Sequence, residues 1–245
     1  MKLPVRVLLL PLVLALAAAC AGCSDRKPYS TSMGVLSPGA TLNVRIAAGS
    51  ITAYAPAVGD PPDRFTISAT GTSDTDYPAP PAIRPMGKGV DVTAGALQTL
   101  LVRVPHGVNL SVDSKRGDVS ATNIDGNADV RAAQGSVRIM LPEGYARVAV
   151  GKGNVNVTMG AASWPGTLPF STGDGDVVLF VNENARFHIR IHTADGSIFT
   201  DFDVRGTSAG TSETIDANVN GGGPGGIDVE AARGSIRLLK LSPQP

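Results

Sequence analysis

His188 and His192 lie four residues apart in a segment that alternates polar and apolar residues, and their imidazole nitrogens could bind a metal ion. Such alternation predicts a strand with both histidines on one side. Four residues of strand separate them by about 13 Å, and one metal ion with bonds of about 2.1 Å cannot bridge that distance. Arg190 between them adds a like charge. The segment therefore predicts a solvent-exposed strand face and not a metal site.

Ser208 is a candidate nucleophile because Gly206–Gly210 matches the Gly-x-Ser-x-Gly pattern of hydrolases. That pattern needs a strand before the serine and a helix after it, and its histidine follows the serine in the chain. Here no helical pattern follows, and all three histidines precede Ser208. The motif predicts a loop of glycine and serine.

Asp174 and Asp176 lie in Gly173–Val177, a Gly-Asp-Gly-Asp-Val segment similar to part of the calcium-binding nonapeptide repeat. In that repeat, tandem copies supply carboxylates and carbonyls to shared ions. The equivalent positions here are too mixed for a column of calcium sites, and aspartates that cap turns are expected instead. One site at Asp174 and Asp176 stays open as the metal alternative, and no cofactor is expected. The equivalent positions are Asp118, Ser136, Asn154, Asp176, Ser197 and Ser235.

Paired carboxylates could also cleave polysaccharides, as they do in enzymes built on β-helices. Those enzymes commonly line their grooves with aromatic platforms, whereas aromatic residues make up 4% of this chain. Trp164, near Asp174 and Asp176 in sequence, marks the one place where a small carbohydrate site could form. Because fold analogy alone supports no reaction, we expect a protein that is not an enzyme.

A glycine recurs every nine residues from position 117 to 153, which predicts a stacked β-repeat. Gly117, Gly135 and Gly153 are each followed by a polar residue and valine, and glycine at a corner allows the positive φ of a tight bend. Apolar residues alternate with mostly polar ones in the repeats, which favours parallel strands with one face in the core. The predicted inward set is Val119, Ala121, Ala128, Val130, Val137, Ile139, Leu141, Ala146, Val148, Val150, Val155 and Val157.

The chain divides into a signal segment at 1–19, a flexible tether at 20–38 and one elongated domain at 39–241. Residues 39–112 are expected to form irregular strands, although Gly49–Ala53 is an early copy of the repeat, and 113–241 the regular coils. Tyr77–Pro85 carries four prolines and cannot be a central strand. Gly160–Gly173 departs from the 18-residue period and is expected to be a loop insertion.

Stacking of the coils in chain order predicts about six layers, or a rod about 30 Å long at ~4.8 Å per layer. It also places Asp129 and Arg147, which are 18 residues apart, one above the other on the outer surface. Phe180 and Phe199 fall on outward positions, where they could cover an edge, cap the core or bind a partner.

Leu101–Pro105, followed by Gly107, Leu110 and the repeated Gly-Asp/Ser/Asn-Val/Ile units, resembles the bacterial "putative-adhesin" family, a domain of unknown function. The resemblance covers most of residues 42–241. It implies a right-handed parallel β-solenoid of the cell envelope. It defines no functional residue that could be transferred.

The N-terminal segment has the features of a bacterial lipoprotein signal. Lys2 and Arg6 precede an apolar run, and Cys20 and Cys23 are the only cysteines. Cys20 is the favoured site of acylation, with Cys23 as the alternative and a disulfide between the two also open. The apolar run is shorter than the ~20 residues of a membrane span.

The predicted partner is therefore a membrane, reached through the lipid anchor, with the outer membrane as the default location. Loss of residues 1–19 removes two of the 21 basic and none of the 21 acidic residues, leaving a net charge of minus two. Such a charge implies no nucleic-acid partner. A non-enzymatic, adhesin-like or structural module that binds a glycan or another envelope protein is favoured. A periplasmic accessory or sensory protein is the second hypothesis, and a carbohydrate-active enzyme the third.

Overall fold

A computed structural model describes residues 29–71, 78–141 and 143–242, which form strands, turns and loops without a helix. The 19 strands of these residues are β1 (Tyr29–Val35), β2 (Thr41–Tyr54), β3 (Arg64–Thr70), β4 (Ala82–Met86), β5 (Gly89–Arg103), β6 (Asn109–Ser114), β7 (Val119–Thr122), β8 (Ala128–Gln134), β9 (Val137–Leu141), β10 (Ala146–Lys152), β11 (Val155–Met159), β12 (Thr167–Asp174), β13 (Val177–Asn182), β14 (Phe187–Thr193), β15 (Ile198–Thr200), β16 (Gly206–Ala209), β17 (Ser212–Val219), β18 (Gly225–Arg233) and β19 (Ile236–Leu241).

The strands stack into two parallel ladders that enclose one apolar core, and we call these ladders the first wall and the second wall. The first wall runs, in spatial order, through β5, β2, β6, β8, β10, β12, β18 and β14. The second runs through β5, β2, β7, β9, β11, β13, β19 and β15. The predicted all-β, parallel, solenoid-like fold is confirmed.

The described part of the chain contains eight parallel layers rather than the six expected, because β2 and β5 each run through both walls. Their pairing with β6 and β7 makes β2 and β5 coils of the solenoid, so the irregular strands expected over 39–112 are limited to the antiparallel β3 and β4. Apolar alternation alone did not show that one 15-residue strand, β5, forms a whole layer.

The order of the layers departs from the order of the chain at both ends. At one end β2 lies between β5 and β6. At the other, the last coil, formed by β18 and β19, lies between the layer of β12 and β13 and the layer of β14 and β15. Sequential stacking was therefore wrong at the ends and right for the layers from β6 to β13.

Antiparallel strands complete both ends of the solenoid. At one end β4 pairs with β5 in the first wall, and β3 and then β1 extend the second wall. At the other end β17 and β16 extend the first wall. Part of the predicted tether, residues 29–35, is thus the edge strand β1, and Leu36 behind it is buried. Among its described residues, 78–85, the proline-rich segment supplies only β4, which pairs with β5 alone, as expected of a strand containing Pro85.

The core consists of the inward side chains of both walls, and every member of the predicted inward set is buried. Burial of one such Val, Leu or Ile side chain contributes about 1.5–3 kcal/mol. Trp164, only 5% exposed, packs on Phe187 with ring centroids 5.3 Å apart, and Phe187 contacts Phe202 edge-on. The Gly160–Gly173 segment is therefore only partly a loop: β12 begins at Thr167, and Trp164 joins the core.

The nine-residue glycine period reflects two columns at opposite corners of the coil. In the column of Gly117, Gly135 and Gly153, φ lies between 122° and 138°, and an added Cβ would overlap the carbonyl oxygen of the glycine one layer below. Gly126 and Gly144 form the other column, where close approach alone excludes a side chain. The expected positive φ is thus confirmed in the first column only.

Candidate interaction surface

Asp174 and Asp176, the candidate metal ligands, lie beside the first glycine column, where hydrogen-bond donors occupy both carboxylates. Asp174 Oδ2 accepts a hydrogen bond from Arg233 Nη2 at 3.1 Å. Asp176 Oδ1 accepts one from the backbone N–H of Ser235 at 2.8 Å. Among the described residues, no group of three or more His, Cys, Asp or Glu side chains is placed to hold a metal ion.

The mixed polar positions that argued against a calcium column form a hydrogen-bonded ladder along the corner. Asp118 Oδ1, Ser136 Oγ and Asn154 Oδ1 each accept a hydrogen bond from the backbone N–H at the equivalent position of the next layer, at 2.8, 3.3 and 2.9 Å. Asp176 continues the ladder to Ser235. The corner side chains therefore bond the N–H groups of the next layer, 18 to 59 residues away in the chain, and not those of their own turns as predicted.

His188 and His192 lie on the outer face of β14, opposite buried Phe187, Ile189 and Ile191, as predicted. His188 Nε2 is 3.2 Å from a carboxylate oxygen of Asp216, and His192 Nδ1 is 3.1 Å from the hydroxyl oxygen of Thr214. Both histidines therefore belong to the polar surface of the first wall.

Ser208 lies in β16, which forms a hairpin with β17 and pairs Ser208 with Glu213. The serine thus lies in an exposed edge strand instead of the predicted loop. The strand–serine–helix arrangement of a nucleophile elbow is not formed in this part of the structure.

Trp164 cannot serve as a platform for a sugar, because its ring is buried and its Nε1 donates a hydrogen bond to the carbonyl oxygen of Gly226 at 2.9 Å. A polar cavity of about 310 Å³ lies at the same end of the solenoid, and its lining includes Asp203, Asn218, Asn220 and Lys240. This lining contains a single carboxylate, so the cavity lacks the carboxylate pair of a glycosidase.

Cys20 and Cys23 lie outside the described residues, so the predicted acylation stays a prediction. Within those residues, no helix is both long and apolar enough to cross a membrane.

The outer face of the first wall is polar and carries charges of both signs. Its outward strand positions include six carboxylates, several beside arginines: Arg45 Nη1 is 3.2 Å from Asp91, and Arg131 Nη2 is 3.4 Å from Asp129. The predicted stacking of Asp129 and Arg147 is confirmed in the pairing of β8 with β10, but Arg147 lies over the Tyr145 ring, 5.4 Å from its centroid. The six carboxylates are Asp91, Asp113, Asp129, Asp216, Asp228 and Glu230.

The outer face of the second wall differs because its outward strand positions carry no Asp or Glu among the described residues. Its charged residues are Arg64, Arg103, Arg138 and Arg237. Arg103 pairs with Asp60 at 2.9 Å. The other three are exposed, and within the structure's described ranges none has a carboxylate at ion-pair distance. The outward strand positions of this wall are therefore positive, and the carboxylate that pairs with Arg103 belongs to Asp60, which lies in a loop.

Exposed apolar side chains concentrate on the same face. Of the eight exposed large apolar residues in the described part of the chain, six point outward from the second wall. Phe199, 52% exposed, lies next to Arg237, whose guanidinium is 5.7 Å from the ring centroid. We call this surface the arginine face and define it by Arg64, Arg138, Arg237, Met33, Val35, Tyr54, Leu101, Met140 and Phe199.

The alternation pattern predicted Phe180 and Phe199 as outward residues, which the structure confirms. It did not reveal the arginine face, because β1, β3, β9, β19 and β15 meet there only through the order of the layers. The outward residues can be divided into two groups, those on the first strand of each coil and those on the second. This division would have shown that the second group lacks carboxylates.

The family model described as Toastrack DUF4097 matches residues 86–239. The chain belongs to this family. The resemblance read from Leu101–Pro105 and the glycine repeats is thereby confirmed. No curated protein matches the Toastrack chain.

Three solved structures are similar to this Toastrack chain. They are titled a "putative cell adhesion protein" from Clostridium sporogenes, a "putative adhesin" from Bacteroides fragilis and a "putative adhesin" from Parabacteroides merdae. Identities are 11, 10 and 11%, and TM-scores are 0.46, 0.31 and 0.24. The matches cover 87, 90 and 87% of this chain and 100, 100 and 96% of the others. These values transfer no function.

Proposed function

We propose that this Toastrack protein is a non-enzymatic lipoprotein of the bacterial cell envelope that works as an adhesin-like interaction module. A rigid two-walled solenoid presents the arginine face to an acidic, partly apolar surface, and an acyl chain on Cys20, or alternatively Cys23, ties the domain to the membrane.

The observation that carries the proposal is the segregation of charge between the two walls. Several carboxylates on the first wall lie beside arginines, whereas the exposed arginines of the second wall have no carboxylate at ion-pair distance among the described residues. Contiguous apolar patches with polar surroundings are typical of interaction sites, and arginine is the cation best suited to bind carboxylates and phosphates.

A periplasmic accessory protein that binds another envelope protein is the second candidate. The observation that favours it is the exposed edge strand β16, which among the described strands pairs only with β17 and could accept an added strand from a partner.

Labelling with palmitate tests the anchor. We expect wild-type cells to incorporate label into the protein, Cys20→Ala to abolish incorporation and Cys23→Ala to retain it. Loss of label only in Cys23→Ala would move the anchor to the alternative cysteine. Retention of label in both single variants and in the double variant would contradict lipid anchoring.

Protease treatment of intact cells separates the two candidate functions. A domain that is degraded on intact cells supports adhesion to an external surface. A labelled domain that is protected until the outer membrane is opened supports the periplasmic accessory role.

A further inference from the structure

We propose that the arginine face docks on an anionic phospholipid bilayer, on the leaflet that holds the chain's own lipid anchor. This inference deepens the proposed function and rests on it.

The first argument is charge complementarity. Arg64, Arg138 and Arg237 are exposed and lack ion-pair partners within the described residues. A guanidinium binds a phosphate oxygen pair in bidentate fashion. An anionic leaflet attracts basic groups that lie close to its surface. The face thus offers several separate phosphate contacts, and its outward strand positions carry no carboxylate among the described residues.

The second argument is the extent of the surface. From β1 to β15 the second wall contains ten neighbouring strands, which at ~4.8 Å each span about 43 Å. Exposed apolar side chains lie at both ends of this span, Met33 and Val35 on β1 and Phe199 on β15. A small ligand cannot contact both ends, whereas a membrane surface can.

The third argument is the short connection to the anchor. The described chain begins at Tyr29, the first residue of β1, which is the edge strand of the second wall. Cys20 lies nine positions before Tyr29 in the chain, and Cys23 lies six positions before it. Extended chain of these lengths reaches at most about 30 and 20 Å. An acyl chain on either cysteine therefore holds this edge of the second wall near the leaflet.

Two other occupants fit the face less well. A second copy of the chain, packed face to face, would bring the same unpaired arginines together without carboxylates to neutralise them. An acidic polysaccharide would satisfy the arginines but would leave Met33, Val35 and Met140 exposed to water.

Tryptophan quenching in vesicles tests the docking. The full acylated protein is reconstituted into vesicles of phosphatidylcholine alone or with 30% phosphatidylglycerol, with brominated acyl chains as the quencher. Phe199→Trp reports from the arginine face. His192→Trp is the matched control, since β14 and β15 belong to one layer but to opposite walls. The signal of Trp164 is subtracted with the wild-type protein.

We expect the Phe199→Trp signal to be quenched in phosphatidylglycerol vesicles, less in phosphatidylcholine alone, and the His192→Trp signal to stay unquenched. Replacement of Arg138 or Arg237 by Gln should lower the ratio of docked to undocked protein about fivefold each. Arg131→Gln and Arg147→Gln on the first wall should leave it unchanged.

Absence of quenching at Phe199→Trp, or equal quenching at both positions, overturns the proposal. The proposal is also overturned if polygalacturonate changes the fluorescence of Phe199→Trp and anionic vesicles do not quench it. The proposed adhesin-like function survives that result. The anchor is read separately from flotation with phosphatidylcholine vesicles at high salt. If flotation fails there but Phe199→Trp is still quenched on anionic vesicles, the lipid anchor and the choice of leaflet are overturned, and only the binding of the arginine face to anionic lipid stands.

Discussion

Arg233 lies directly beside Asp174, with Nη2 3.1 Å from Oδ2, although the two are 59 positions apart in the chain. The pair joins β12 to β18 and places the last coil of the chain inside the stack, between two coils that precede it. The last two strands of the chain, β18 and β19, therefore form an internal layer. The layer of β14 and β15, which come earlier in the chain, lies beyond them towards the end of the solenoid.

Cysteine cross-linking tests this order of layers. Asp174→Cys with Arg233→Cys should form a disulfide on oxidation, because the two positions pair across adjacent strands. Asp174→Cys with Asp195→Cys should not, since Arg233 lies between them and two layers separate them by about 10 Å, beyond the ~7 Å limit for a disulfide. Non-reducing mass spectrometry of peptides from a Cys23→Ala background distinguishes the pairs. The opposite pattern would mean that the coils stack in chain order.

Gly135→Ala should destabilise the solenoid by about 3–5 kcal/mol, because the new methyl group would overlap the carbonyl oxygen of Gly117 and φ is 129°. Gly210→Ala is the matched control. Its φ is 64°, but open space surrounds the position, so only the backbone cost of about 1–2 kcal/mol applies. Urea unfolding measures both values. Similar losses in the two variants would show that close stacking of the glycine column is not what excludes a side chain.

Asp118→Ala should lower the free energy of unfolding by about 1 kcal/mol, because it leaves the N–H of Ser136 without its acceptor. Loss of a helix cap has an effect of the same size. Asp113→Ala removes a carboxylate from the neighbouring strand, where the side chain is exposed on the first wall and has no partner among the described residues. We expect that control to stay within about 0.5 kcal/mol of the wild type. Equal unfolding free energies for both variants would remove the corner ladder as a source of stability.

The sequence predicted the fold best where the repeat is strict. From Val119 to Val157 the 18-residue period sets register, inward residues and the first glycine column, and all three agree with the structure. Each layer there contacts the next in chain order, so local spacing determines which residues stack.

At both ends the same reasoning failed because pairing there depends on distant strands. Nothing local to β18 indicates that it pairs with both β12 and β14, or that β1 joins the second wall through β3. The arginine face escaped prediction for this reason, since Val35 and Phe199 share a surface only through the complete stack. Asp129 and Arg147 stack as predicted, but Asp129 pairs with Arg131 and Arg147 lies over the Tyr145 ring.

Asp125 lies at the corner of the coil opposite the first glycine column, and its carboxyl makes the stability of the protein depend on pH. Partial burial by itself raises the pKa of its carboxyl, but hydrogen bonds from His106 Nδ1 at 2.8 Å and the Gly107 N–H at 3.0 Å outweigh this, and the pKa is lowered. A lowered pKa in the folded state stabilises the protein above the unfolded-state value of about 4, and this contribution is lost as pH falls through the folded value.

Asp125→Asn should therefore be less stable than the wild type at pH 7, and the difference should shrink below pH 4. Urea unfolding from pH 7 to pH 2.5 measures the difference, with Asp113→Asn as the control, because that exposed side chain has no hydrogen-bond partner among the described residues. A difference that stays constant over this range would contradict the role of the Asp125 carboxylate.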